Sequence, residues 1–187
     1  MARVKRYIQK DVLTAARERI HHIADTHDTL AVCFSGGKDS LTTLHLARQV
    51  LAERGQKVVN VIFRDEELIP SSVIDFVDSY RVQPWVNMLY FAVPLKSTKF
   101  ILGKVFDYVQ WDPNRRHIRP IPEHAITLPA GDTRAFDQFT ADAFIAGYLP
   151  RGKVAFLTGQ KMDEIYGYQG TVYPLSNTPW IVFIAKL

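Results

Sequence analysis

Residues 30–40 read Leu30-Ala31-Val32-Cys33-Phe34-Ser35-Gly36-Gly37-Lys38-Asp39-Ser40, an order that predicts a strand, a turn and a helix. The first five residues are apolar, which is typical of a strand buried on both faces. Two adjacent glycines then permit a sharp turn. Apolar residues recur after the turn at helical spacing, and Gly55 stands where a helix commonly ends. The sequence therefore predicts a glycine-rich loop, residues 35–40, between a buried strand and a helix.

The flanking segments extend this pattern into an α/β fold. Residues 57–63 form a second apolar run, and a strand, helix and strand in succession nearly always make a right-handed parallel crossover. Further strands are predicted at 85–93, at 154–159 and from Trp180. Further helices are predicted at about 9–25, from Ser71, at 99–106 and at about 136–147.

Two more expectations concern the organisation of the chain. We expect Pro70-Ser71-Ser72 to open a helix with a capping serine, because serine hydroxyls accept hydrogen bonds from helix N–H groups. We also expect one domain over residues 1–187, with a long loop at about 107–134 that faces the substrate.

Composition narrows the class of protein. Apolar residues make up 47% and charged residues 22%, as in ordinary globular domains. No apolar run is long enough for a membrane span, and the charged start does not resemble a signal peptide. We therefore expect a cytoplasmic protein that has no membrane partner.

Charge and metal-ligating residues add little to the functional prediction. The net charge of +4 is carried by residues 1–20, which hold six basic against two acidic side chains. We interpret this bias as a solvated helix face; nucleic-acid binding stays open but is not indicated by the charge. The single cysteine, Cys33, excludes an internal disulfide and is interpreted as a small buried apolar residue. The histidines show no metal-ligand spacing.

The glycine loop carries the groups that bind an anion. Helix N–H groups and the helix dipole attract phosphate, and Lys38 adds a full positive charge. Ser35 and Ser40 can donate hydroxyl hydrogen bonds to phosphate oxygens, and Asp39 can hold a magnesium ion. Neither GxxxxGK[ST] nor GxGxxG matches this spacing. The loop therefore differs from both the Walker and the dinucleotide-binding loops.

The motif SGGKDS after an apolar strand resembles the PP-loop of ATP pyrophosphatases and of the phosphoadenosine phosphosulfate reductase family. This resemblance implies a parallel-stranded three-layer sandwich of the adenine nucleotide alpha hydrolase-like type. It also implies ATP, or a sulfonucleotide (PAPS or APS), as the ligand together with Mg²⁺. Nucleotide-binding residues would be Ser35, Gly36, Gly37, Lys38, Asp39 and Ser40. Lys38 and Asp39 would also be catalytic.

Two further segments share the resemblance. Asp65 follows the second strand, where the family commonly places residues near the nucleoside, and Glu66 and Glu67 are weaker candidates. Residues 158–164 resemble the family's second loop, TGxRxxES, with Lys161 in the place of arginine. Gly159 and Lys161 would then contact the nucleotide, and Glu164 would bind magnesium together with Asp39. Ile165 stands where the motif has serine.

The sequences of two other segments resemble a prophage-type branch of the family that includes immunoglobulin-binding regulators. These segments are residues 64–70 and 108–115. Longer relatives continue past Trp180, so this chain is interpreted as a shortened member of the branch. It has no cysteine after Cys33, whereas family reductases use a cysteine in a carboxyl-terminal motif.

Basic and aromatic side chains in the long loop are a further candidate site. The group comprises Tyr108, Trp111, Arg115, Arg116, His117 and Arg119. These residues could grip a second anionic substrate or nucleic acid, or they could form an ordinary solvated loop.

Three functions follow from the resemblance. The first is cleavage of the α–β bond of ATP with Mg²⁺, which releases pyrophosphate and transfers the adenylate to an unidentified second substrate. The second is a sulfonucleotide reductase-like protein that lacks the catalytic cysteine. The third is a non-enzymatic nucleotide-sensing phage regulator or assembly subunit, with a protein partner or a second copy at the apolar edge near Trp180.

Overall fold

The computed structural model describes residues 9–101, 104–159 and 180–183. Its helices and strands are, in chain order, α1 (Val12–Thr26), β1 (Thr29–Cys33), α2 (Lys38–Glu53), β2 (Val59–Arg64), α3 (Ser71–Arg81), β3 (Val86–Phe91), β4 (Leu95–Ile101), β5 (Lys104–Gln110), α4 (Gln138–Ala146), β6 (Val154–Thr158) and β7 (Trp180–Phe183).

One parallel sheet organises the chain, with strands in the order β3-β2-β1-β6-β7. Alternating side chains of the strands point to opposite faces, and each face packs against helices. Leu30, Val32 and Phe63 face the core shared with α1, α2 and α3, whereas Ala31 and Ile62 face the core under α4. The structure is thus a three-layer α/β sandwich, as the resemblance implies.

The predicted helix at residues 99–106 is wrong. Residues 99–101 lie in β4 and residues 104–106 lie in β5, and these strands pair antiparallel from Leu95 opposite Gln110 to Ile101 opposite Lys104. Aromatic and β-branched residues recur there, and such residues favour strands. Gly103 also weakens a helix. The long loop consequently begins after Gln110, not at residue 107.

The predicted serine cap of α3 is also wrong. The N-terminal cap of this helix is Pro70, with φ −55° and ψ 141°, and no side chain makes a capping hydrogen bond there. Ser71 is already helical, so its hydroxyl is one position too late to cap. The carbonyl oxygen of Pro70 instead accepts the first helical hydrogen bonds, from the N–H of Val73 at 3.0 Å and of Ile74 at 3.3 Å.

The strand order places a topological switch point at β1. From β1 the chain proceeds through α2 to β2 on one side, while β6 pairs with the other side of β1. Open α/β sheets bind ligands in the crevice at the carboxyl ends of the two strands that flank such a point. The glycine loop and Gly159 follow those two strands. None of the helices in the described ranges is long and apolar enough to cross a lipid bilayer.

Candidate functional site

Two serines close the glycine loop on itself. The hydroxyl of Ser40 donates to the carbonyl oxygen of Gly37 at 2.9 Å, and Ser40 Oγ accepts the N–H of Ser35 at 3.1 Å. Because the Ser40 hydrogen is used, the Ser35 hydroxyl is the donor in the 3.1 Å contact between the two Oγ atoms. Ser40 is buried, and its hydroxyl shapes the loop from inside. Direct contacts of Ser35 and Ser40 with phosphate stay a prediction.

The N-terminus of α2 has features that attract an anion. The helix begins at Lys38, its N-terminal cap is Gly37, and no side chain makes a capping hydrogen bond there. The first N–H groups of a helix have no partner within the helix, and the helix dipole adds positive potential. Lys38 is exposed beside them. The loop therefore offers N–H donors and a cation at the carboxyl edge of β1.

Gly36 is required by the shape of this loop. Its φ is +75°, a conformation that other residues rarely adopt. A Cβ atom at this position would also lie 3.0 Å from Val73 Cγ1 and 3.2 Å from Val77 Cγ2 of α3. The helix α3 therefore packs directly against the turn and supports it.

Gly159 brings the end of β6 against the glycine loop. A Cβ atom at this position would lie 2.6 Å from the carbonyl carbon of Asp39 and 2.8 Å from the backbone nitrogen of Ser40. Only glycine permits this contact between two backbones. The structure thus brings Gly159 together with the predicted site residues at 35–40. Lys161 and Glu164 lie outside the described residues, so their roles stay predictions.

Asp65 is fully buried at the end of β2, and protein groups already bind its carboxylate. Oδ2 accepts the hydroxyl of Tyr90 at 2.7 Å, and Oδ1 accepts the backbone N–H of Glu67 at 2.9 Å. Arg119 forms an ion pair with the same carboxylate. Burial and the bond to Asp65 raise the pKa of the Tyr90 phenol. Contact of Asp65 with a nucleoside stays a prediction.

Glu67 has a structural importance that the sequence did not indicate. Its buried carboxylate binds Arg115 in a bidentate pair, with Nη1–Oε1 at 3.0 Å and Nη2–Oε2 at 2.5 Å. It also accepts the N–H groups of Trp111 at 2.7 Å and Ile118 at 2.8 Å, and the hydroxyl of Tyr108. Burial alone would raise the pKa of Glu67, but these donors outweigh it and lower the pKa to about 2. Glu67 therefore holds residues 111–119, which we call the anchored loop.

The anchored loop accounts for most of the basic and aromatic group predicted as an anion site. Arg115 and Arg119 are bound to buried carboxylates, and the Trp111 indole N–H donates to the carbonyl oxygen of Asp65 at 2.7 Å. Arg116, in contrast, is exposed. An acidic run that closes a strand, followed along the chain by clustered arginines, was the available signal. Sequence alone did not reveal which charges pair.

The predicted magnesium site is only partly described. No group of three or more histidine, cysteine, aspartate or glutamate side chains that could hold a metal occurs among the described residues. Magnesium usually keeps several waters and binds one or two carboxylates together with substrate phosphates. Asp39, in the first turn of α2, fits such a ligand set. Glu164 lies outside the described part of the chain.

Cys33 ends β1, one residue away from the glycine loop, and we expect it to be unreactive. Burial raises the pKa of its thiol to about 12. At pH 8 only about one molecule in ten thousand would carry the reactive thiolate. A thiol reagent should therefore label the folded protein very slowly and the guanidinium-unfolded protein completely. Rapid labelling of the folded protein would contradict this placement of Cys33.

Two comparisons with known proteins agree with this geometry. Residues 29–116 match the family model of the phosphoadenosine phosphosulfate reductase domain. The uncharacterized protein YbdN of Escherichia coli (strain K12) is 31% identical over 167 residues, which cover 83% of this chain and 40% of YbdN. The chain therefore spans less than half the length of this curated relative. The domain match contains β1, the glycine loop and the buried carboxylates of Asp65 and Glu67, so this part of the chain is similar to the phosphoadenosine phosphosulfate reductase domain.

Proposed function

We propose that this protein binds an adenine nucleotide at residues 35–40, with the phosphates at the N-terminus of α2. The observation that carries the proposal is the uncapped helix start at Gly37 beside exposed Lys38, at the switch point of a parallel sheet. The Ser35–Ser40 hydrogen bonds hold the loop in this shape before a ligand arrives. A preorganised loop of this kind reduces the ordering cost of binding.

The reaction that we propose is cleavage of the α–β bond of ATP. A nucleophile on the second substrate attacks the α-phosphorus, the bond to the bridging oxygen breaks, and pyrophosphate leaves with the electron pair. Lys38 and the N–H groups of α2 stabilise the charge that develops on pyrophosphate. When bound, Mg²⁺ would neutralise phosphate charge, held by Asp39 and Glu164. This chemistry needs no side-chain nucleophile, which suits the high pKa of Cys33.

A sulfonucleotide is the second candidate ligand. The observation that favours it is the match of residues 29–116 to the phosphoadenosine phosphosulfate reductase domain. Adenosine phosphosulfate and ATP both present an anhydride-linked oxyanion chain to the same helix N-terminus. The proposals differ in the ligand and not in the location of the site.

Substitution of Lys38 tests the binding site. Calorimetry would use ATP with Mg²⁺, adenosine phosphosulfate and phosphoadenosine phosphosulfate. For whichever nucleotide binds, Lys38→Ala should lower the affinity at least about tenfold, because a charge-assisted hydrogen bond is lost. Lys57→Ala removes an exposed lysine near the amino end of β2 and is the matched control. Equal affinities of wild type and Lys38→Ala, or no binding of any nucleotide, would refute the proposal.

A pyrophosphate-release assay then separates binding from catalysis. If the ATP reaction is correct, wild type releases pyrophosphate when the second substrate is supplied, and Asp39→Ala releases much less. Candidate acceptors can be screened by adenylate transfer from labelled ATP. Tight nucleotide binding without turnover would instead identify a nucleotide-sensing protein.

A further inference from the structure

Three neighbouring strands end in polar or sulfur-bearing residues on one face of the sheet. Cys33 ends β1, Arg64 ends β2 and Thr158 ends β6. Cys33 packs with the core under α4, and alternation places Arg64 on the same face as Ile62 and Thr158 on the same face as Phe156. The three side chains therefore share the α4 face of the carboxyl edge, beside the switch point.

Arg64 has a counter-charge on α4. Its Nη1 donates to Asp142 Oδ1 at 3.2 Å, and the Arg64 side chain keeps 35% exposure while that of Asp142 keeps 11%. Burial raises the pKa of Asp142 to about 6, so Arg64 compensates only part of the desolvation cost of this carboxylate. The guanidinium is thus the accessible member of a weakly matched pair.

Thr158 presents a polar atom that the described part of the chain leaves unsatisfied. Its Oγ1 is buried and has no hydrogen-bond partner there. An unsatisfied buried hydroxyl carries a cost in stability, and such groups often mark a place that a ligand or water completes. Cys33 lies on β1, between the strands that carry Arg64 and Thr158. Its side chain is small and its thiol is unreactive, so we expect it to line the site and not to react.

We propose that Arg64 and Thr158 form an oxyanion subsite for a phosphate or sulfate group of the nucleotide bound at residues 35–40, with Asp142 as the counter-charge that this group displaces. The inference rests on the proposed function and extends the site from the glycine loop across β1. Phosphate and sulfate share the tetrahedral oxyanion geometry that a guanidinium and a hydroxyl recognise. Ligands with a further oxyanion should therefore depend on Arg64, whereas AMP should not.

The experiment compares four nucleotides by calorimetry: AMP, ATP with Mg²⁺, adenosine phosphosulfate and adenosine 3′,5′-bisphosphate. Arg64→Gln should lower the affinity for at least one of the last three about tenfold or more and change the affinity for AMP by no more than about twofold. Which ligand responds identifies the oxyanion: a triphosphate, a sulfate or a 3′-phosphate. Arg81→Gln, which removes an arginine paired with Asp78 at the far end of α3, is the matched control and should change nothing.

Two further variants separate a binding role from a structural one. Thr158→Val keeps the side-chain shape and should lower the affinity for the same ligand about fivefold. It should not lower the thermal stability, because the hydroxyl that it removes is unsatisfied in the absence of ligand. Asp142→Asn should raise the affinity for that ligand, since the carboxylate charge that competes for Arg64 is gone. Arg64→Gln and Asp142→Asn thus act in opposite directions on affinity.

The outcomes are distinct. The subsite would be overturned if Arg64→Gln changed the affinities for AMP and for the other nucleotides equally. It would also be overturned if Arg64→Gln and Asp142→Asn both lowered the affinity. In either case the proposal of a nucleotide site at residues 35–40 would stand. Absence of nucleotide binding by wild type would overturn the proposed function and the subsite with it.

Discussion

Gly159→Ala should abolish nucleotide binding and lower the free energy of unfolding by about 3 kcal/mol, the upper range for an overpacked interior. The added Cβ would lie 2.6–2.8 Å from backbone atoms of Asp39 and Ser40, and backbone cannot move aside as a side-chain tip can. The N-terminus of α2 must therefore shift, and the N–H groups lose their alignment on the phosphates. Calorimetry with the nucleotide and chemical denaturation measure the two effects.

Gly131→Ala is the control for the loss of a glycine as such. Gly131 has φ +87°, and a Cβ there would meet no atom within 4 Å. This variant should lose only about 1 kcal/mol from backbone strain and keep its nucleotide affinity. If Gly159→Ala behaved like Gly131→Ala in both measurements, the contact between β6 and the glycine loop would be wrong.

Glu67→Gln should lower the free energy of unfolding by about 3–5 kcal/mol, as expected when one partner of a buried ion pair is removed. Arg115 and the N–H groups of Trp111 and Ile118 would face an amide that cannot accept from all of them. Glu66→Gln changes an exposed neighbour and should cost far less. Denaturation at pH 7 measures both variants.

The same carboxylate predicts how stability depends on pH. The folded-state pKa of Glu67 is lowered from 4.5 to about 2, so its contribution is complete above pH 4.5 and is lost as the pH falls towards 2. The lowered pKa corresponds to about 3 kcal/mol. Wild type should therefore lose more stability than Glu67→Gln between pH 5 and pH 2. Parallel pH profiles of the two proteins would contradict a buried, ionised Glu67.

Much of the parallel sheet was predictable because its signals are local. The apolar run that ends at Ser35 and the two glycines that follow fix a strand and a turn within a few residues. The helix predicted over 99–106 failed for the opposite reason. Pairing of β4 with β5 satisfies that backbone through contacts across the hairpin, and a single-segment pattern does not register such pairing.

Within the candidate site, the sequence indicated the glycine loop and Gly159 but not the pairing of the charges around them. The pattern around Lys38 predicts a phosphate-binding turn, because the helix N-terminus and the lysine are adjacent in sequence. Glu67 and Arg115 are 48 positions apart, and neither residue indicates its partner. A larger separation, 78 positions, hid the Arg64–Asp142 pair. Long-range pairing of charges required the three-dimensional structure.

Amide hydrogen exchange with and without nucleotide shows where a nucleotide binds, because it locates the ligand on the chain. With ATP and Mg²⁺, or with adenosine phosphosulfate, at a concentration near the wild-type Kd, peptides that cover residues 35–41 should exchange more slowly in wild type and be protected much less in Lys38→Ala. Peptides from the β4–β5 hairpin should not respond in either protein. Slower exchange confined to that hairpin, or no change at residues 35–41 with any of these nucleotides, would contradict a nucleotide site at the glycine loop.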